Sequence, residues 1–145
     1  MISVKKAFDA LKSEIERVTI GDSESPFAFL KAGSNEWTNL GKPKLLAKFD
    51  SYVMAHRDKS LYLPEILAPR VFRPAGQVEA SILIDGRICG TWRAERAGKK
   101  LTVRLEPFTK LNANVLKQLK KEAEGVRIAL GAESADCLSS TSAMA

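Results

Sequence analysis

Apolar residues recur at three- and four-residue steps through Val4, Ala7, Phe8, Leu11 and Ile15, which predicts an amphipathic helix over residues 3–15. Ser3 stands where its hydroxyl would cap that helix, and Lys5, Lys6 and Lys12 fall away from the apolar stripe. Two short β-prone runs, IERVTI and FAFLKA, then flank a polar loop bearing Gly21 and Pro26, the pattern of a hairpin. A basic helix running straight into a hairpin is the second half of a winged helix. Residues 1–32 are therefore read as a partial winged helix. Some of Ile2, Val4, Phe8 and Leu11 then lack their usual packing partners or are covered by the rest of the chain. Residues 33–43 are dominated by Gly, Ser, Asn and Pro and read as a linker.

Residues 44–131 read as one small β domain. Leu45 and Leu46 form an apolar run, a helical turn is expected around Phe49–Met54, and LPEILAPRVF starts a short helix at Pro64 that Pro69 and Pro74 stop. EASILID and RICGTWRAER flank Asp85-Gly86, the dipeptide favoured in two-residue type I′ turns. A second turn at Ala97-Gly98 leads into KKLTVRLEPF, which completes an antiparallel meander. If residue 84 pairs with 87 and 96 with 99, then Leu83, Ile88, Trp92, Ala94, Leu101, Val103 and Leu105 share an apolar side. Arg87, Thr91, Arg93, Lys100, Thr102 and Arg104 share the other, with Glu95 opposite Lys100 and with Ile82, Ile84 and Cys89 partly covering that side. Val115, Leu116, Leu119, Ala123, Val126 and Leu130 make the stripe of a last helix, capped by Asn112 and ended by Gly131. Residues 132–145 are small, polar and unpatterned, and read as a disordered tail. The fold class is α+β: a truncated winged helix, then an antiparallel β domain closed by a C-terminal helix.

Composition narrows the chemistry. The 145 residues carry 23 Lys and Arg against 17 Asp and Glu, a net charge of +6, which favours phosphate-rich partners. His56 is the only histidine, so a multi-histidine metal site and a zinc site of two cysteines and two histidines both lack ligands. No GxxxxGK[ST], GxGxxG or GxSxG occurs, and no catalytic constellation emerges. No cofactor is implied. Cys89 and Cys137 have no CxxC partner and read as reduced thiols of a cytoplasmic protein. No apolar run is long enough for a membrane span, and no signal peptide is read at the N-terminus.

LLAKFDSYVMAHRDKS, then LIDGRICGTWRAER, then LTVRLEPFTKLN and the closing helix resemble, in that order, the C-terminal part of the AlkZ-like winged-helix DNA glycosylases. The match runs from about Lys44 to Gly131, and the helix and hairpin at residues 3–31 fit the segment just upstream. The resemblance implies tandem winged helices followed by a small β domain. It also implies metal-free hydrolysis of the N-glycosidic bond of bulky alkylated bases and unhooking of interstrand crosslinks. That chemistry belongs to a Gln-x-Gln or Gln-x-Asp motif, whereas Gln77 and Gln118 here are isolated. No catalytic residue carries over.

The reading is a DNA-binding module of glycosylase type that is not catalytic by itself. Its partner is double-stranded DNA, contacted through phosphates by Arg57, Lys59, Arg87, Arg93, Lys100 and Arg104. The alternatives are a structural subunit docking a partner protein through the N-terminal helix, an inactive remnant, or one half of a split glycosylase. Trp92 is expected in the core and Trp37 in the linker. Asp50, Arg57 and Asp58 are expected to form an ion-pair network, and His56 to pack at a helix end.

Overall fold

The computed structural model describes residues 4–19, 27–31 and 41–140, and the described residues form seven strands and four α-helices. Two units are distinguished, Met1–Thr38 and Asn39–Ala145. Ser3, the loop at 21–26 and Trp37 lie outside the described residues.

In the first unit, α1 (Val4–Ala10) gives way to a turn, with Glu14 N–H donating to the Leu11 carbonyl at 2.8 Å. β1 (Ile15–Val18) and β2 (Phe27–Leu30) pair antiparallel, with Ile15 opposite Leu30 and Val18 opposite Phe27. The helix is shorter than its apolar stripe predicts, because Ile15 is taken into the ladder. A seven-residue helix is marginal on its own, and pairing with β2 satisfies more backbone groups than another helical turn would.

The second unit is a five-stranded sheet in the order β3-β4-β5-β6-β7: Lys44–Leu46, Ser81–Ile84, Arg87–Ala97, Lys100–Pro107 and Ser134–Ser139. All neighbours are antiparallel except β6 and β7, which run parallel. Helix α2 (Ser51–Ala55) is capped by Asp50, whose Oδ1 accepts the Tyr52 N–H at 2.9 Å. A 3₁₀ turn and α3 (Ala68–Val71) follow, and α4 (Ala113–Ala129) connects β6 to β7. Asn112 caps α4 by accepting the Val115 N–H at 2.8 Å. Gly131, at φ 63°, takes the left-handed conformation that ends the helix.

Two cores lie on opposite faces of the sheet. On one, Val53, Tyr62, Leu63, Val71, Val78, Ile88 and Phe108 are buried around the α2–α3 segment. On the other, Leu119 and Ala123 of α4 bury against Ile82, Leu101, Val103 and Leu105, with Val115, Leu116, Val126 and Trp92 packed alongside. Each fully buried leucine there contributes roughly 1.5–3 kcal/mol of transfer free energy.

The division of faces differs from the sequence reading, and a β-bulge is the reason. Leu83 stands opposite Ile88 but Ile82 stands opposite Gly90, so Cys89 has no partner and the alternation of β5 reverses there. Ile82 and Ile84 consequently join Trp92, Leu101, Val103 and Leu105, while Leu83 and Ile88 turn to the other core. Gly90 is the residue that lets the strands close: a Cβ on it would stand 2.7 Å from Pro107 Cα and 2.8 Å from the Glu106 carbonyl oxygen. The β5–β6 loop is Gly98-Lys99, so Ala97 pairs with Lys100 and Glu95 faces Thr102, two residues away from the expected register.

The segment read as a disordered tail is corrected in part. Ser134–Ser139 form β7, in register with Lys100–Leu105, and Ala132 is buried at its start. Side-chain hydrophobicity does not drive this strand; its ladder of backbone hydrogen bonds does. Residues 141–145 lie outside the described residues.

Candidate nucleic-acid interface

The six cations singled out in the sequence fall into two places. Arg93, Lys100 and Arg104 sit on the β5–β6 hairpin, on the face turned away from α4. Arg93 is directly opposite Arg104, an arrangement of like charges that is unfavourable unless each is compensated. Both are compensated diagonally: Arg93 Nη2 pairs with Glu106, and Arg104 Nε lies 3.2 Å from Glu95 Oε2. Lys100 Nζ lies 2.7 Å from Asp136 Oδ2 on β7. The basic hairpin face expected from the sequence is thus a checkerboard of acids and bases. Every pair on it is exposed, so its stabilisation is about 0–1 kcal/mol and a competing anion meets a low barrier.

Arg57 and Lys59 follow α2, and Arg87 follows the β4–β5 turn to which α2 is bonded. Asp85 and Gly86 both have positive φ, 48° and 75°, as a type I′ turn requires. The Tyr52 hydroxyl donates to the Gly86 carbonyl at 2.8 Å, and Ile88 N–H donates to the Tyr62 carbonyl at 2.8 Å, so turn and helix are fixed to each other. Arg87 leaves that turn exposed, and Arg57 leaves the end of α2 exposed. Neither makes an ion pair among the described residues. The expected network of Asp50, Arg57 and Asp58 does not form. Asp50 caps α2, and Asp58 accepts from the Ser60 N–H at 2.9 Å and the Ser60 hydroxyl at 2.6 Å. Those two bonds, the hydroxyl first, hold the Asp58 carboxyl below its usual range.

Lys59, unlike Arg57 and Arg87, is engaged by its own fold. The sequence reading pairs it with Arg57 as a phosphate contact. In the fold its ammonium donates to the carbonyls of Val53 at 3.1 Å, Met54 at 3.4 Å and His56, and lies 5.3 Å from the Phe72 ring centroid. It closes the C-terminus of α2, where orphan carbonyls and the helix dipole both favour a cation. His56 ends that helix, edge-on to Tyr52 with ring centroids 6.0 Å apart. Burial, then the neighbouring Tyr52, pushes the Tyr62 hydroxyl up to about 12. Burial first and Asp85 second raise the Cys89 thiol, against the pull of Arg87.

Other contacts escaped the sequence. Arg96 caps α4 from across the fold, donating to the carbonyls of Leu130 at 2.9 Å and Gly131 at 3.4 Å. The Arg70 guanidinium lies 4.5 Å from the Phe108 ring centroid. Trp92, expected in the core, is half-buried there, and its indole N–H donates to the Leu46 carbonyl at 2.8 Å. No local spacing announces these partners, which lie tens of residues apart in sequence. Among the described residues, no helix is long and apolar enough to cross a membrane.

Comparison with known proteins agrees with the resemblance read in the motifs. No match is found among curated proteins. The DNA glycosylase AlkZ of Streptomyces sahachiroi is similar in structure, with a TM-score of 0.67 at 24% identity over 96% of this chain. That likeness is one of fold, and this chain spans 38% of the glycosylase's length. The family model described as DNA glycosylase AlkZ-like matches residues 2–127, nearly the whole described fold up to the last turn of α4. On that match, the chain belongs to the AlkZ-like DNA glycosylase family.

Proposed function

We propose that the chain is a DNA-binding module of the glycosylase fold, in which α1 and the β1–β2 hairpin are the second half of a winged helix. It holds duplex DNA through its phosphates. The observation that carries the reading is that Arg57 and Arg87 are both exposed and, among the described residues, both without a carboxylate, one after a helix and one after a turn that a hydrogen bond ties together. Guanidinium forks suit phosphate oxygens, and no bonded carboxylate has to be displaced first. Arg93, Lys100 and Arg104 act as a second set that exchanges exposed carboxylates for phosphates. Lys59 supports the loop that presents Arg57. Gln77 and Gln118 stand alone and form no Gln-x-Gln motif, so this reading assigns the chain binding and no hydrolytic step of its own.

Fluorescence anisotropy with a labelled duplex at about 50 and 200 mM salt tests this, because each lost phosphate contact lowers the salt slope by roughly 0.9. Arg57→Ala with Arg87→Ala is expected to lower it by roughly 1.8 and to weaken binding about equally across sequences. An unchanged slope, or no binding by the wild-type chain at the lower salt, overturns the reading. A second reading rests on Phe8 of α1, 47% exposed, and Leu11 in the turn after it, 39% exposed: that surface docks a partner protein. A complex that survives high salt supports it, and a chain that stays monomeric alone and with candidate partners argues against it.

A further inference from the structure

The segment that follows α4 runs along the tip of the β5–β6 hairpin, where Lys100 belongs to the proposed DNA contact and Arg96 and Lys99 are its neighbours. Glu133 Oε1 lies 2.6 Å from Lys99 Nζ, and Asp136 Oδ2 lies 2.7 Å from Lys100 Nζ. The Lys99 carbonyl also accepts the N–H of Glu133 at 2.8 Å. Just upstream, the carbonyls of Leu130 and Gly131 hold the Arg96 guanidinium. Arg96, Lys99 and Lys100, the cations at the tip of the β5–β6 hairpin, are therefore all engaged by residues 130–136. Farther along, Leu138, Ser139 and Ser140 line a surface cavity of about 270 Å³ with Arg93, Arg104 and Glu106.

What β7 brings to this place is charge. Residues 132–145 contain Glu133 and Asp136 and no Lys or Arg. Of the strand's own side chains only Ala135 and Cys137 are half-buried, and the rest are exposed. The backbone ladder holds the strand in register, so that its Asp136 and the preceding Glu133 sit on the two hairpin lysines. Both pairs are open to solvent, so each is weak, and carboxylate and phosphate compete for the same ammonium.

We infer that β7 is an internal competitor for phosphate: Glu133 and Asp136 occupy Lys99 and Lys100 in the free protein and withhold them from the DNA backbone. The inference rests on the DNA-binding reading above and names how that surface is limited. The counterions released on binding are the cations condensed on the DNA; a lysine that leaves a carboxylate behind gives little net release, because the freed carboxylate takes up a cation beside the phosphate. The same lysine unpaired contributes a full counterion-release term.

The test is duplex binding by the full chain at about 50 and 200 mM salt, comparing wild type with Glu133→Gln/Asp136→Asn. The isosteric amides keep the ladder. Unmasking two lysines is expected to steepen the salt slope by roughly 1.8 and to raise affinity most at the lower salt. Glu14→Gln/Glu65→Gln changes net charge equally and releases no paired cation, so its slope is expected to stay at the wild-type value. Asp136→Asn alone, expected to steepen the slope by roughly 0.9, serves if the double variant does not fold. If wild type binds and all slopes coincide, β7 is no competitor and the DNA reading stands. Equal steepening in both double variants also refutes the inference, as an effect of net charge. If no protein binds at the lower salt, both readings fall.

Discussion

Replacing Gly90 with alanine adds one methyl group at the tightest point of the sheet. The new Cβ would stand 2.7 Å from Pro107 Cα, 2.8 Å from the Glu106 carbonyl oxygen and 3.0 Å from Ile82 Cδ1. Two of those three atoms belong to the backbone of β6, so relief has to come from moving the strands apart. Gly90 has no positive φ, so the cost is steric and not conformational. Overpacking of this kind costs about 1–3 kcal/mol, against which alanine regains about 0.4–1 kcal/mol by restricting the unfolded chain. The net expectation is a loss of roughly 1–2 kcal/mol, a fall in melting temperature of about 4–10 °C for a domain of this size. Gly125 supplies the internal control. It lies on an exposed face of α4, and a methyl group added there would meet nothing within 4 Å, so Gly125→Ala is expected to stabilise by about 0.5–1 kcal/mol. Thermal and urea melts followed by circular dichroism measure both. A Gly90→Ala protein as stable as wild type would refute the claim that the bulge and its close approach require glycine.

Other expectations follow from the end of the sheet near α2. Lys59→Met removes the cation from three carbonyls and is expected to cost about 1–3 kcal/mol in urea unfolding while leaving the DNA salt slope unchanged. A slope reduced by roughly 0.9 with stability intact would return Lys59 to the phosphate contacts. Tyr62 is 1% exposed and donates its hydroxyl to the Val53 carbonyl at 2.7 Å. Its folded pKa, pushed up to about 12 from 10, means the unfolded chain gives up that proton first as pH rises. Stability from this group is therefore complete below about pH 10 and declines as pH climbs toward about 12, by at most about 1.4 kcal/mol per pH unit. Tyr62→Phe is expected to flatten that decline in pH-dependent melts.

The parts of this fold legible in the sequence are those that local chemistry decides. Asp85-Gly86 set the β4–β5 register, and Ile84 pairs with Arg87 as the dipeptide dictates. Asn112, the apolar stripe and Gly131 delimit α4 within a residue of its observed ends. Where both faces of a strand are covered, the alternation of polar and apolar residues stops carrying information. Ile82, Leu83, Ile84 and Ile88 are all apolar, so nothing in their order betrays the bulge at Cys89, and only Gly90 marks it. The turn expected at Ala97-Gly98 lies one residue later, which shifts the register by two, because the glycine takes the first loop position, at φ 59°, not the second. At the candidate interface the hairpin's arginines and its acids, Glu95 and Glu106, could be read, but not which acid meets which base. Glu106 and Glu95 reach Arg93 and Arg104 diagonally, and Asp136 arrives from a strand with no hydrophobic signature.

The parallel pairing of β6 with β7 also sets a clock. During synthesis β6 can pair with β5 as soon as Pro107 has emerged, but its other edge has no partner until residues 108–133, with α4 among them, have been made. At ribosomal speed that interval is roughly one to five seconds. For its duration KLTVRLEP offers an open, β-prone edge to any other nascent chain. A ribosome stall or premature stop within α4 would therefore be expected to yield aggregate, while one after Ser139 would not.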